Sequence, residues 1–198
     1  LATPVLAVER LADGVRLVSA RGEERFDDVV LACHADEALA LLGDASAPEQ
    51  EILGAIGYQD NETVLHTDAR VLPRDRRAWA AWKPHVPAAA GADCTVSYWM
   101  NALQSLDAPE PLIVSLNRSH DIDPARVLRR MHYRHPLQNA GSVAAQARKA
   151  EIQGVRRTWF AGAGWGFGFH EDGLRSAVEV ARRWGWAWPV SLQRSAST

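Results

Sequence analysis

Apolar and polar residues alternate at the start of the chain, which is the pattern of strands with one buried face. Residues 3–10 (TPVLAVER) and 14–20 (GVRLVSA) both have this period of two, and residues 12–14 (ADG) supply a turn between them. Residues 27–32 (DDVVLA) form a short continuous apolar run, which is typical of a strand buried on both faces. The pattern therefore predicts a hairpin followed by a buried strand.

Three further segments have helical spacing or helical composition. Residues 34–42 and 48–56 repeat apolar positions at helical intervals, and the second begins with a proline, which is favoured in a first turn. Residues 142–152 are rich in alanine. For this last segment we expect a helix that is capped by Ser142 and ended by Gly154.

Between residues 62 and 117 the period returns to two. Four strands are predicted there, separated by segments that contain proline or glycine: 62–68, 77–83, 95–101 and 111–117. This meander favours an antiparallel sheet with one covered face. Together with a last strand at residues 157–161, it indicates α/β parts at both ends of the chain and a β-rich insert between them.

Residues 158–177 (TWFAGAGWGFGFHEDGLRSA) are the most informative stretch of the chain. They predict a strand, a loop with glycine at alternate positions from 162 to 168, and a helix with Leu174, Val178 and Ala181 on its apolar face. Glycines let a ligand approach the backbone, and free N–H groups at a helix start attract anionic or carbonyl oxygens. The stretch therefore predicts a cofactor-binding element, although tight turns alone also produce such glycines.

Composition limits the possible partners. The chain has 198 residues, 47% of them hydrophobic, and a formal net charge of −2, which gives no electrostatic basis for binding nucleic acid. No apolar run approaches the roughly 20 residues of a membrane span. Two cysteines, Cys33 and Cys94, do not make a disulfide framework, so we expect reduced thiols and a cytoplasmic protein.

Taken in order along the chain, these segments resemble the C-terminal half of a bacterial FAD-dependent oxidoreductase of the flavin-containing amine oxidase superfamily. The resemblance rests mainly on residues 3–19 (TPVLAVERLADGVRLVS), 26–42 (FDDVVLACHADEALALL) and 160–177 (FAGAGWGFGFHEDGLRSA). It implies the C-terminal part of a two-domain FAD-binding (dinucleotide-binding) fold with an antiparallel-sheet substrate domain. Residues 1–38 and 150–198 would belong to the FAD-binding domain, and residues 39–149 to the β-rich substrate domain.

The resemblance also implies which residues contact the cofactor. Val5 would pack on the adenine of FAD. The last loop and helix start would direct backbone N–H groups to the ribityl chain, the pyrophosphate and the flavin C2 carbonyl. The residues implicated in this way are Gly162, Ala163, Asp172, Gly173 and Leu174.

Three features depart from the family pattern. The fingerprint G-x-G-x-x-G occurs nowhere in the sequence, so we expect a C-terminal fragment that lacks most of the adenosine site. Ala163 stands where many relatives have an acidic residue. The segment Tyr58–Asp68 contains no lysine, which argues against amine oxidation as such.

A flavoprotein of this kind transfers a hydride from a small-molecule substrate to FAD and requires no acid, base or nucleophile from this chain. Aromatic residues cluster in the insert, so we expect an apolar substrate, with Trp82, Tyr98 and Trp165 as candidate pocket residues. Core packing is the simpler role for each of them. Two other functions stay open: a non-catalytic interaction module without flavin, and a small-molecule-binding protein without redox chemistry.

Other chemistry is less well supported by the sequence. Neighbours on a strand point to opposite faces, so Cys33 and His34 predict a buried thiol beside a helix-start histidine rather than a nucleophile and its base. His132 and His135 lack cysteine or carboxylate partners at fixed spacing, so no metal site is expected. Asp172 is suited to cap the last helix.

Overall fold

A computed structural model describes residues 2–86 and 95–186, which fall into two compact units. The first unit combines the chain up to Tyr58 with the chain from Pro136 onward, and the second is Gln59–His135. The order of α/β part, β-rich part and α/β part is as expected, but the bounds differ from the predicted boundaries after residues 38 and 149. The roles assigned to the two domains stay predictions.

Strands and helices are numbered here along the chain. The strands are β1 (Val5–Arg10), β2 (Val15–Ser19), β3 (Gly22–Phe26), β4 (Val29–Leu31), β5 (Tyr58–His66), β6 (Trp82–His85), β7 (Thr95–Trp99), β8 (Ile113–Leu116), β9 (Val127–Pro136) and β10 (Thr158–Phe160). The α-helices are α1 (Ala35–Leu41), α2 (Ala47–Gly54), α3 (Met100–Leu103), α4 (Ala140–Ala147) and α5 (His170–Arg183). Among the described residues, no helix is both long enough and apolar enough to cross a bilayer.

The first unit begins with an antiparallel sheet in the order β1-β2-β3. The predicted hairpin of β1 and β2 is confirmed, and the N–H of Leu11 donates to the carbonyl of Gly14 within its turn, at 2.9 Å. β3 was not predicted because its sequence, GEERF, is largely charged and all of its residues are exposed. A strand with no buried face leaves no alternation of apolar and polar residues to detect.

The parallel pair β4 and β10 is formed by segments that lie far apart in sequence. Val29 pairs with Thr158, and Leu31 pairs with Phe160. The prediction that residues 27–32 form a strand buried on both faces is wrong for Val30, which is 38% exposed. Its side chain points to the opposite face from those of its two buried neighbours.

One apolar core joins these strands to α1, α2 and α4. Its fully or nearly fully buried members come from every one of these elements and include Val8, Leu31, Ala38, Ile52, Leu53, Ile56, Ala145 and Phe160. Because the three helices bury their apolar residues here, they belong to the first unit and not to the β-rich insert. This packing explains the difference between the predicted and observed boundaries.

Side-chain caps set the starts of α2 and α4. Ser46 caps α2, where the N–H of Ser46 donates to the Glu49 carboxylate at 2.7 Å. The prediction that Ser142 caps the alanine-rich helix is wrong, because Asn139 accepts from the N–H of Ser142 at 2.9 Å and starts α4 earlier. This helix also ends at Ala147, ahead of the predicted end, and a 3-10 turn follows it.

A buried ion pair links β1 to α2. Arg10 forms ion pairs with Asp44 and Glu49, and the side chains of Arg10 and Glu49 are almost completely buried. Arg10 Nε donates to Asp44 Oδ1 at 2.9 Å, and the same Glu49 carboxylate takes part in the cap of α2. A single arginine therefore fixes the position of a strand and of a helix start, and removing Arg10 would leave the buried Glu49 carboxylate without its charged partner.

The predicted apolar face of α5 is wrong. Leu174 is 47% exposed, and Val178 and Ala181 are only half-buried. The buried side chains of α5 are Asp172, Ser176 and Val180, which follow one another at intervals of four residues on one face. Two of these three are polar, so a search for apolar spacing selects the neighbouring face instead.

The second unit is built on a sheet in the order β6-β7-β8-β5-β9, and the predicted antiparallel meander is confirmed for β6, β7 and β8. It is wrong for β5, which is antiparallel to β8 rather than to β6, the next strand along the chain. The predicted strand 77–83 is wrong over most of its length. A 3-10 turn occupies Arg76–Ala78, with the Asp75 side chain accepting from the N–H of Arg77, and β6 begins only at Trp82. β9 was not predicted because its residues (VLRRMHYRHP) are mostly polar and exposed.

A chain of buried polar side chains crosses the centre of this sheet. His66 Nε2 lies 2.9 Å from Ser115 Oγ, which lies 2.7 Å from Ser97 Oγ. The N–H of Asp68 donates to His66 Nδ1 at 3.1 Å, so the ring proton must be on Nε2 and donates to Ser115. Burial, and to a smaller extent the charge of Arg118, lowers the pKa of His66 to about 4, although Asp68 opposes this shift.

We expect acid to destabilise the fold through His66. The pKa is about 4 in the folded protein and about 6.5 when unfolded, so the stabilisation is complete above about pH 6.5 and is lost as the pH falls toward 4. The loss should reach about 3 kcal/mol, because each unit of pKa shift corresponds to about 1.4 kcal/mol. The free energy of unfolding, measured with urea across this pH range, should depend less on pH in His66→Gln than in the wild type. His120→Gln, which removes an exposed histidine, should behave like the wild type, and equal pH slopes in all three proteins would contradict the account.

Candidate functional site

The predicted cofactor-binding element lies at the carboxyl ends of two neighbouring parallel strands. After β4 the chain continues through Cys33 and His34 into α1, and after β10 it continues through residues 162–168, here called the glycine loop, into α5. Because β4 and β10 are parallel, both connections leave the sheet at the same edge. In open α/β sheets, ligands bind at this edge.

The four glycines of the loop have individual structural causes. Gly162 and Gly168 have φ values of +132° and +92°, which other residues rarely adopt. A Cβ on Gly164 would lie 2.7 Å from the hydroxyl of Tyr58, and a Cβ on Gly166 would overlap the carboxyl group of Asp172. The expectation that all four glycines make room for a ligand is therefore wrong for Gly164 and Gly166, which make room for side chains of the protein itself.

The carboxylate of Asp172 is bonded within its own chain. Its Oδ2 accepts from the N–H groups of Phe167 at 2.9 Å and Phe169 at 3.1 Å, and its Oδ1 accepts from Arg175. The backbone donor of Phe169, the guanidinium of Arg175 and the backbone donor of Phe167 lower the pKa of Asp172. The predicted capping role is confirmed, and the carboxylate oxygens bind the loop and helix of the protein.

The other side of the loop is held by two glutamines that the sequence did not single out. Gln146 Nε2 donates to the carbonyls of Gly164 at 3.0 Å and Gly166 at 2.9 Å. Gln138 Nε2 also donates to the carbonyl of Gly166, at 2.9 Å. The glycine loop is thus bound by α4 through its carbonyls and by Asp172 through its amides, and no local motif in the sequence indicates the glutamine contacts.

Two backbone N–H groups of the loop point away from these contacts. The carbonyl of Gly162 accepts from Trp165 at 3.3 Å, and the carbonyl of Ala163 accepts from Gly166 at 3.1 Å and Gly168 at 3.2 Å. In a trans peptide the N–H of the next residue points opposite to the carbonyl. The N–H groups of Ala163 and Gly164 therefore point away from the hydrogen bonds inside the loop, a direction called outward here, and within residues 2–86 and 95–186 neither has a hydrogen-bond acceptor.

Three other residues of this region were predicted to contact the cofactor, namely Gly162, Gly173 and Leu174. A Cβ on Gly173 would lie 3.6 Å from the Ala163 nitrogen, so the glycine keeps the surroundings of that amide open. The N–H of Gly162 is already used, because it donates to Ser176 Oγ at 2.8 Å. Leu174 is exposed in the first turns of α5. An outward pair of amides beside a helix N-terminus fits a carbonyl or anionic oxygen of a ligand.

Val5 lies at an apolar cleft of about 590 Å³ in the first unit. The cleft is lined almost entirely by apolar residues of β1, β2, β4 and α1, including Val8, Leu17, Val29, Val30 and Leu41. Its size is in the range of ligand cavities, and its walls suit a flat apolar group. This position is compatible with the predicted contact between Val5 and an adenine.

Cys33 is exposed, so the prediction of a buried thiol is wrong. It lies two residues after β4 and lines the same cleft, and partial desolvation raises the pKa of the thiol, so that it stays protonated. His34 precedes α1 as predicted, and its ring stacks on that of Tyr58 with 4.1 Å between centroids. The Tyr58 hydroxyl accepts from the N–H of Ala35 at 3.1 Å, which supports a structural role for this group. Cys94 lies outside the described residues.

The candidate pocket residues fall in different units. Trp82 pairs with Tyr98 across β6 and β7, and Tyr98 pairs with Val114 on β8, so the three side chains share one face of the sheet. Trp82 is 58% exposed there. Trp165 belongs to the first unit, where it packs near Phe160 and has the Lys149 Nζ 5.3 Å from its ring.

Comparison with solved structures identifies the fold. The chain is similar to a CLA-producing fatty acid isomerase from P. acnes, with a TM-score of 0.62 and 15% identity over 91% of this chain and 47% of the other. It is also similar to cyclohexylamine oxidase from Brevibacterium oxydans IH-35A (TM-score 0.53, 12% identity, 92% and 49% covered). A putrescine oxidase bound to putrescine gives a TM-score of 0.58 at 8% identity, with 91% and 48% covered.

The chain therefore shares its fold with part of these enzymes and spans about half of their length. The predicted resemblance to the amine oxidase group is confirmed for the fold. No family model matches the sequence, and no curated protein matches it either.

The close approach of Gly164 to Tyr58 can be tested by a double-mutant cycle. Gly164→Ala places a methyl group against the Tyr58 hydroxyl and should lower the free energy of unfolding by about 1–3 kcal/mol. In a Tyr58→Phe background the same substitution should cost at least about 1 kcal/mol less, because the opposing oxygen is gone. Gly43→Ala, at a glycine with open space around it, is the matched control and should change stability by less than about 0.5 kcal/mol. Equal costs of Gly164→Ala in both backgrounds would refute the contact.

Proposed function

We propose that this chain supplies the flavin-side part of an FAD site in an oxidoreductase. The single observation that carries the proposal is the outward pair of N–H groups on Ala163 and Gly164, at the carboxyl end of β10 and beside the N-terminus of α5. The shared fold with amine oxidases and a fatty acid isomerase supports it. When bound, the flavin would supply the hydride-accepting chemistry.

The residues of this chain would bind and orient the cofactor. The N–H groups of Ala163 and Gly164 would donate to a carbonyl or phosphate oxygen, and the positive end of the α5 dipole would favour the same atom. Gly173 would leave the space that this oxygen needs. Val5 and the apolar cleft would cover the adenine. Gly162 and Asp172 would contribute through the shape of the loop, and Leu174 would contribute through its exposed position in α5.

We propose an uncharged, apolar substrate. Trp82, Tyr98 and Val114 share one face of the sheet in the second unit, and these three register neighbours carry no charge that could pair with an ammonium group. The segment Tyr58–Asp68 contains no lysine. One of the similar structures is a fatty acid isomerase, which is compatible with an apolar substrate for the present chain.

Flavin binding can be separated from folding by a single substitution. Titration of the chain with FAD, followed by flavin fluorescence or equilibrium dialysis, should give a Kd of about 1 mM or tighter, which corresponds to at least about 4 kcal/mol. Gly173→Ala should weaken this binding about tenfold, because its methyl group would lie against the Ala163 amide. The same change should preserve or raise thermal stability, since alanine favours the helix by about 1 kcal/mol over glycine.

A chain that binds no FAD at millimolar concentration would contradict the proposal and favour a non-catalytic interaction module. Equal FAD affinity of the wild type and Gly173→Ala would contradict the placement of the cofactor oxygen at Ala163. Gly43→Ala again serves as the control, because that glycine lies outside the site and has no neighbour within 4 Å of an added Cβ.

A further inference from the structure

We propose that Asp172 is a positioning residue whose carboxylate holds the glycine loop so that the Gly164 N–H faces outward to a ligand oxygen. The identity of that ligand as FAD rests on the proposed function. The role of Asp172 rests on the hydrogen bonds of the loop. The resemblance implies that Asp172 contacts the cofactor. In the structure its carboxylate instead accepts hydrogen bonds from the backbone N–H groups of Phe167 and Phe169.

Asp172 binds the last part of the loop through one carboxylate oxygen. Oδ2 accepts from both Phe167 and Phe169, which are the two residues that flank Gly168. Gly168 itself has a φ of +92°, which glycine adopts without strain because it has no Cβ, and the same freedom lets its backbone leave this conformation easily. One oxygen atom therefore fixes the backbone on both sides of this flexible glycine.

Gly168 is linked to the outward N–H of Gly164 through the carbonyl of Ala163. The Gly168 N–H donates to the carbonyl of Ala163 at 3.2 Å, and the Gly166 N–H donates to the same carbonyl at 3.1 Å. The Ala163 carbonyl shares a trans peptide with the Gly164 N–H, so holding the one inside the loop turns the other outward. Asp172 is thus linked to the Gly164 N–H through the backbone of residues 167–169 and the Ala163 carbonyl.

A helix cap alone does not account for these contacts. A capping carboxylate at the third helical position needs only the N–H of the residue before the helix, which is Phe169 here. The additional bond from the Phe167 N–H reaches two residues further back, into the loop. Gly166 leaves the space that the carboxyl group occupies, so the loop is shaped around this side chain.

Three variants test whether the Asp172 side chain acts by positioning the loop, by capping α5 or through its charge. Asp172→Asn keeps an oxygen acceptor for Phe167 and Phe169, so its FAD affinity should stay within about threefold of the wild type. Asp172→Ala removes the acceptor and should weaken FAD binding by about tenfold or more. Glu171→Gln removes an exposed charge from the same helical turn and should leave FAD affinity unchanged. Circular dichroism and thermal melting would establish that each variant is folded.

Amide NMR gives a readout that does not depend on FAD. In Asp172→Ala, hydrogen exchange at the Phe167 and Phe169 amides should accelerate, and the Gly164 amide signal should shift, whereas Asp172→Asn should resemble the wild type. If Asp172→Ala does not fold, Asp172→Ser, whose short hydroxyl can serve Phe169 but not both amides, replaces it with the same expectations.

The outcomes distinguish the two proposals. Wild-type affinity for FAD in a folded Asp172→Ala would overturn the positioning role. If the wild type itself binds no FAD, the proposed function fails. The Gly164 amide signal then tests the positioning role of Asp172 independently of FAD. An unchanged Gly164 signal in Asp172→Ala would overturn this role, and a shifted signal would support it.

Discussion

The carboxylate of Asp172 is the interaction on which the candidate site depends most. It binds backbone N–H groups on both sides of Gly168, and it occupies the space that the absent side chain of Gly166 leaves. On the opposite side, Gln146 binds the carbonyls of Gly164 and Gly166. A loop that would otherwise be free to exchange conformations is thus fixed by side chains from two helices, before any ligand is considered.

Buried polar side chains also fix the positions of other elements of the protein. Arg10 joins β1 to the start of α2. Ser176 of α5 accepts the N–H of Gly162, which joins the glycine loop to α5, and donates to the carbonyl of Gly173 in the same helix. In the second unit, His66 and Ser115 form part of a hydrogen-bonded chain inside the sheet. Such groups specify particular contacts between elements, because each would be costly to leave buried without its partner.

The sequence predicts the elements that have an apolar pattern and misses those that do not. The hairpin of β1 and β2, and strands such as β7 and β8, follow from alternation, whereas β3 and β9 are exposed and polar and give no such signal. The face of α5 was predicted wrongly because Asp172 and Ser176 are buried in place of apolar residues.

The glycine pattern predicted the loop and the helix start that the structure has at residues 162–170. It did not show that Gly164 and Gly166 are required by Tyr58 and Asp172, because Tyr58 lies more than 100 positions away in the sequence. The role of Gln146 was missed for the same reason, since long-range contacts of a glutamine with backbone carbonyls have no sequence signature.

In the proposed site, the N–H groups of Ala163 and Gly164 face outward and receive an oxygen of FAD. Residue-resolved hydrogen exchange of the wild-type chain, with and without saturating FAD, measures this most directly. We expect fast exchange at both amides in the free protein, because neither has an acceptor within the described part of the chain, and slower exchange at both when FAD is bound. Protection of both amides in the free protein, or exchange rates that FAD leaves unchanged, would contradict the proposed site.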